Sequence, residues 1–189
     1  SFDKYLFKPE HFKKIVSAHS ELSEYILEYE SNYPKNIEGI QRISLFKGRI
    51  ILNLILGDIS TTQTYLEQID TIDAWFFDGF SPSKNPELWT KQLFSKINNS
   101  CHANSTFSTY SSSGYVKKNL KDAGFSYKKV KGFSHKRHML KGLSSSRKEK
   151  TSIKGLKVAV IGSGIAGCTV SYFLSKQGIE VDLYEQEED

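Results

Sequence analysis

The feature that most constrains the fold of this 189-residue chain is a glycine string near its carboxyl end. Leu156 to Ile161 reads as a strand, Gly162-Ser163-Gly164-Ile165-Ala166-Gly167 follows at once, and an apolar helix runs on to Lys176. A second strand, Glu180 to Tyr184, then delivers Glu185. Alone, a Gly-x-Gly-x-x-Gly string is weak evidence. With a strand before it, a helix after it and an acid about twenty residues on, it has the context that dinucleotide binding requires. Gly162 permits the tight turn, Gly164 lets a pyrophosphate approach the backbone, and Gly167 lets helix and strand pack closely. The helix amino end then faces the phosphates, and Glu185 accepts from a ribose hydroxyl. FAD and NAD share this fingerprint, so the unit does not choose between them. Only four residues follow Glu185, which suggests a domain cut short.

The rest of the chain alternates helical and strand periodicities, the pattern of an α/β sheet that is mostly parallel with an antiparallel edge. Between Pro9 and Tyr29, Phe12, Ile15, Val16, Leu22, Tyr25, Ile26 and Tyr29 recur at helical spacing, implying two short helices broken near Ser20. Arg42 to Phe46 and Arg49 to Leu56 flank Lys47-Gly48 and read as a hairpin. A helix from Thr61 to Gln68 leads into Ile72-Asp73-Ala74-Trp75-Phe76-Phe77-Asp78. This nearly continuous apolar run fits a buried strand whose carboxyl end presents an acid to a crevice. A helix over 86–98, a strand over 105–110, a helix over 114–123 closed by Gly124, and strands over 126–130 and 136–141 complete the pattern. The loop after Asp78 is stiffened by Pro82 and Pro86. With Phe80, Asn85 and Trp89 beside a carboxylate, it is suited to receive a flat base and hydrogen-bond an amine. A capped strand end with a structural proline loop would read the same way.

No run approaches the roughly 18 apolar residues of a membrane helix, and the first residues lack the pattern of a signal peptide. Cys101 and Cys168 show no metal-ligand or disulfide spacing, and His135 and His138, three apart on a strand, fall on opposite faces. The expectation is a soluble protein of a reducing cytoplasm without a metal. The net charge is +5, yet between Ser113 and Lys157 fourteen Lys or Arg face only Asp122 and Glu149. Such clustering suits a polyanion partner. It is also what a solvated surface followed by a charged linker would show. Leu143 to Lys154, LSSSRKEKTSIK, has little to bury and reads as that linker.

Three stretches carry a family resemblance: DAWFFDGFSPSKNPELW over 73–89, STYSSSGYVKKNLKDAGF over 108–125, and KGFSHKRHML over 131–140. They resemble the methyltransferase domain of the bifunctional tRNA 5-methylaminomethyl-2-thiouridine biosynthesis proteins, in which a linker and an FAD-dependent oxidoreductase domain follow. The resemblance implies a Rossmann-like methyltransferase sheet lacking its amino-terminal part over 1–142, a linker over 143–154, and the first βαβ unit of an FAD-binding domain over 155–189. It implies a parent enzyme that modifies the wobble uridine of tRNA. The flavin domain removes a carboxymethyl group, and the methyltransferase domain then methylates the exposed amine with S-adenosylmethionine. On matching positions, Asp78 contacts or deprotonates the amine, Asp3 holds the cofactor ribose, and Asp58 lies near the adenine. Phe80, Pro82, Asn85 and Trp89 line the substrate loop. Lys117, Lys118, Lys128, Lys129, Lys131, Lys136 and Arg137 offer a surface to the tRNA backbone.

The sequence departs from that family in three places. The glycine loop that grips the methionine end of the cofactor is not in the chain. NNSCHANS stands where a Pro-Gly-Gly turn is usual, and Lys117 and Lys118 replace paired arginines, keeping charge while losing bidentate phosphate contact. Two other readings fit the residues: a methyltransferase of small amines whose basic tract is only a linker, and a nucleotide- or RNA-binding fragment without turnover. Oligomeric state leaves no mark in the sequence.

Overall fold

The computed structural model describes residues 1–6, 8–18, 21, 23–69, 71–132, 136–150 and 155–186. Strand β1 (Phe2–Asp3) is followed by α1 (Pro9–Ser17) and α2 (Ser23–Ser31). The break between the helices falls where the spacing predicted it, although Ser20 and Leu22 lie outside the described residues. Aromatic rings join them: Phe12 sits 5.2 Å from Tyr29 and 5.8 Å from Tyr33, centroid to centroid.

The hairpin forms as β2 (Gly39–Leu45) and β3 (Ile50–Leu56), antiparallel from Gly39↔Leu56 to Leu45↔Ile50. Its loop is longer than the predicted Lys47-Gly48 turn. Phe46 and Lys47 both adopt positive φ, 52° and 55°, a conformation uncommon for residues other than glycine. The Phe46 amide donates to Glu28 Oε1 of α2 at 3.0 Å, which fixes the loop from outside.

Helix α3 (Ile59–Thr62) passes into a 3-10 segment over Gln63–Gln68, then β4 (Ile72–Phe77). A second 3-10 turn, Pro86–Trp89, precedes α4 (Lys91–Asn99). The predicted single helix over 86–98 is therefore two pieces. Thr90 divides them, its backbone extended and its hydroxyl accepting from Leu93 N at 3.2 Å as the cap of α4. Next come β5 (Cys101–Thr109), α5 (Gly114–Asp122), β6 (Phe125–Lys131) and β7 (His138–Ser144). Ser113 caps α5 and Gly124, at φ 89°, follows it.

These strands make two sheets, β1-β3-β2 and β4-β5-β7-β6. The expected mostly parallel sheet is thus corrected: in this region only β1·β3 and β4·β5 run parallel, while β2·β3, β5·β7 and β6·β7 are antiparallel. Among the described strands, β1 and β4 are each paired on one side only. The core packs on one face of the larger sheet, where Phe77, Phe107, Phe125 and Leu140 meet Trp89, Leu93, Phe94 and Ile97 from the 3-10 turn and α4, and Val116 and Leu120 from α5. Phe2 of β1 and Ile59 of α3 pack against it. The opposite face is open: Phe76 is 78% exposed above a shallow cleft lined by Ala74, Ser108, Lys128 and Lys141.

A third, two-stranded sheet pairs β8 (Lys157–Ile161) with β9 (Glu180–Tyr184) in parallel across α6 (Ile165–Lys176). That is the βαβ unit the glycine string predicts. Leu143 and Ser144, assigned to the linker by composition, belong to β7.

Candidate functional site

Three strand ends gather the predicted acids. The register Asp3↔Leu56 sets the ends of β1 and β3 side by side, and Gly57 N donates to Asp3 O at 2.9 Å. Asp3 is exposed and receives the Ser1 hydroxyl at 3.1 Å. Asp58 caps α3: its Oδ1 accepts from Ser60 N at 2.9 Å and Ser60 Oγ at 2.7 Å. Its other oxygen accepts Lys4 Nζ at 2.7 Å. The Lys4 ammonium, with the two Ser60 donors behind it, holds the Asp58 carboxyl well below the usual carboxylate range, and Asp58 in turn raises Lys4. Glu87, on the proline loop, is close enough to Asp58 and Lys4 for both to act on its carboxyl. The loop after β4 therefore borders the ends of β1 and β3.

Asp78 follows β4 and is exposed. Its loop is held by bonds the sequence did not announce. The Tyr110 hydroxyl donates to Gly79 O at 2.7 Å. Trp89 Nε1 donates to Phe80 O at 2.8 Å, and Asn119 Nδ2 donates to Trp89 O at 2.8 Å. Side chains from the end of β5, from α5 and from the loop's own indole thus fix the carbonyls around Asp78, so the carboxylate stands on a rigid base. Partial burial, and then the Asp78 charge, push the Tyr110 phenol up, which places the two groups near one another.

The substrate-loop residues divide. Phe80 is 75% exposed and can stack on a base. Pro82 and Asn85 are half-buried, and Asn85 Nδ2 donates to Glu87 Oε1 at 3.0 Å. Trp89 requires correction: it is 0% exposed, its ring edge-on to Tyr110 at 5.9 Å and to Phe94 at 6.5 Å. A ring buried on every side shapes the loop and has no face to offer a substrate. Tyr110, Asn119, Lys4 and Glu87 were missed. The one available signal was a tyrosine at the end of a strand next to an acid-bearing strand; the others depend on contacts distant in sequence.

The basic residues do not share one surface. Lys128 pairs with Lys141 across β6 and β7, and Lys131 with His138. Strand alternation puts Lys128 on the face opposite Lys129 and Lys131. Lys118 is ion-paired with Asp122, while Lys117 and Arg137 have no acidic partner among the described residues. Lys136 Nζ lies 5.3 Å from the Tyr110 ring centroid, bringing one cation to the site. His135 lies outside the described residues. Among the described residues no group of three His, Cys, Asp or Glu is arranged to hold a metal ion, and no helix is long and apolar enough to cross a membrane.

In the glycine unit, Gly162 sits at φ 97°, and a Cβ on Gly167 would come 1.8 Å from Gly162 O. Gly164 has open space around it and caps α6. Glu185 accepts from Ser163 N at 2.7 Å and Ser163 Oγ at 2.8 Å, so the acid closes onto the glycine turn. The uncrowded Gly164 at the start of α6 leaves room for a phosphate at the helix amino end.

Acids at the carboxyl ends of the parallel-paired strands β1, β3 and β4, with helices packed on the larger sheet, define the class: an α/β protein with a nucleotide-binding layout. The chain belongs to the S-adenosyl-L-methionine-dependent methyltransferase family, whose pattern matches residues 20–145. Residues 160–189 match the NAD(P)-binding Rossmann-like domain. Similar proteins include the tRNA 5-methylaminomethyl-2-thiouridine biosynthesis bifunctional protein MnmC of Marinomonas sp. (strain MWYL1), 42% identical over 172 residues, which cover 82% of this chain and 25% of that protein. The protein of the same name from Pseudoalteromonas translucida (strain TAC 125) is 37% identical over 204 residues, covering 99% and 30%. A crystal structure of MNMC2 from Aquifex aeolicus is similar with a TM-score of 0.54 at 27% identity, over 82% of this chain and 46% of that one. The chain thus spans between a quarter and a third of the length of these curated relatives.

Proposed function

We propose that this chain is the methyltransferase segment, joined to the start of an FAD-dependent oxidoreductase segment, of a cytoplasmic enzyme that modifies the wobble uridine of tRNA. The methyl-transfer substrate is the aminomethyl group of 5-aminomethyl-2-thiouridine, exposed by FAD-dependent removal of a carboxymethyl group in the second segment. The names of the similar proteins and the order of the two family matches along this chain support this reading, as does Asp78, a carboxylate at the end of β4 on a loop pinned from three directions. We assign 1–144 to the first segment and 155–189 to the second, with the link between them in 145–154.

S-adenosylmethionine, when bound, supplies a methyl group on a sulfonium. Asp3 and Asp58 suit its ribose and adenine end, since both present carboxylate oxygens at adjacent strand ends. Asp58 Oδ2 must then be shared with, or released by, Lys4. Asp78 orients the substrate amine and takes the proton it must lose as its lone pair forms the new C–N bond. Phe80 offers a stacking face to the uracil ring. Lys117, Lys118, Lys136 and Arg137 contact phosphates, adding affinity and salt dependence without base selection. Gly162, Gly164, Gly167 and Glu185 hold the FAD pyrophosphate and ribose.

In the intact enzyme, Asp78→Ala should abolish methylation and leave the demodified amine accumulating on tRNA, read by nucleoside mass spectrometry. Unchanged methylation removes Asp78 from the mechanism. The split of the lysines between two faces of β6 favours one other reading, a methyltransferase of small amines. Methylation of a free amine without tRNA, insensitive to salt, would support it.

A further inference from the structure

We propose that residues 145–150 form a strap, buckled by Lys150 onto Asp73, that fixes where the chain leaves the methyltransferase sheet. Composition gives no reason to expect order in this Ser- and Lys-rich stretch. The structure nevertheless ties it down in sequence. Ser144 Oγ donates to Asn98 Oδ1 at 2.6 Å, and Ser145 N donates to Gly124 O at 2.9 Å. Ser146 Oγ donates to Cys101 O at 2.7 Å, and Ala103 N donates to Lys148 O at 3.0 Å. Lys148 Nζ donates to Asn99 O. Finally, Lys150 Nζ reaches both oxygens of Asp73, at 2.7 and 2.9 Å.

Asp73 is itself braced. His102 Nδ1 accepts from Asn104 N at 3.1 Å, which leaves Nε2 as the protonated nitrogen, 2.8 Å from Asp73 Oδ1. The His102 side chain is almost wholly buried, so it is a fixed post. The presence of an aspartate near the start of the otherwise apolar β4 is thereby explained, since His102 holds it from the sheet and Lys150 from the strap. Each exposed contact is weak alone; a succession of them over six residues gives the segment one path.

That path crosses the amino ends of β5 and β4, the end of the sheet opposite Asp78. It also shortens the tether. Ten free residues from 145 to 154 could extend roughly 36 Å, whereas the four between Lys150 and Gly155 reach roughly 14 Å at about 3.6 Å per residue. The dinucleotide-binding unit is therefore leashed close to the amino ends of the strands.

Trypsin cuts after Arg147 and Lys148, and in a folded chain its rate follows the population of the open segment. The experiment compares cutting at these two bonds in the 189-residue chain and in a free peptide of residues 143–154, followed by mass spectrometry. The chain should be cut at least tenfold more slowly than the peptide. Lys150→Ala should raise cutting severalfold, Asp73→Asn should do the same, and the double variant should exceed neither single one. Equal cutting of chain and peptide, no change in Lys150→Ala, or fully multiplicative effects in the double variant would each overturn the strap. Should Asp73→Asn melt the sheet, the Lys150→Ala result alone decides.

Discussion

The region up to Lys150 and the unit from Gly155 onward are both built of strands and helices, yet they hold their shape by different means. The first has a continuous aromatic core: Phe77 and Phe125 lie 6.1 Å apart, each within 5.1 to 6.5 Å of both Phe94 and Phe107, with Trp89 against Phe94. The second buries nothing large; in α6 no residue is buried, and Ile161 and Ile165 are 89% and 91% exposed. Its form rests on glycine geometry and a parallel strand pair. A binding fingerprint can thus be locally complete while the hydrophobic burial that stabilises a domain is absent.

The largest effect should separate the two regions outright. Trp89→Ala removes a wholly buried indole and is expected to cost about 3–5 kcal/mol, whereas Ile165→Ala should stay within about 0.5 kcal/mol. Urea unfolding followed by the fluorescence of the remaining tryptophan, Trp75, for the first and by circular dichroism for both would show this. Comparable losses would break the contrast. Next, Gly167→Val should disorder β8 and β9 without moving the melting temperature of the first region, because its Cβ would strike Gly162 O. Amide shifts in the two regions, read by NMR, would report them separately. The smallest effect concerns charge. The Asp58 carboxyl is depressed in the fold, so its contribution to stability is full above the ordinary carboxylate value and is lost as pH falls through the folded value. Lys4→Ala removes the largest cause of that depression. The Asp58 titration, followed by carbon NMR, should move upward and the acid limb of stability with it; an unmoved titration would leave Ser60 as the dominant partner.

What was legible in the sequence was local. The β2–β3 hairpin, the α5 helix with its Ser113 cap and Gly124 stop, and the strand–glycine–helix–strand unit each announce themselves through periodicity and turn chemistry within a few residues. The division of the main region into two sheets was not legible, because which strands pair depends on contacts far apart in the chain. Trp89 looked like a stacking platform since an aromatic residue after a carboxylate loop reads alike whether it faces substrate or core; its indole bond to Phe80 O and its burial decide the matter. The strap was hidden because serines and lysines that suit a linker equally suit hydrogen bonding to exposed carbonyls at strand ends.

The unequal edges of the larger sheet carry a consequence for how the chain behaves among copies of itself. The outer strand β6 presents Lys128, Lys129 and Lys131, charges that discourage another strand from adding to its free backbone groups. β4, at the other edge, reads Ile-Asp-Ala-Trp-Phe-Phe with Phe76 bare. Such an edge is a template for strand addition. The two edges of the described sheet therefore differ in kind: β6 carries its own deterrent to strand addition, whereas the one charge of β4, Asp73, is taken up by His102 and Lys150.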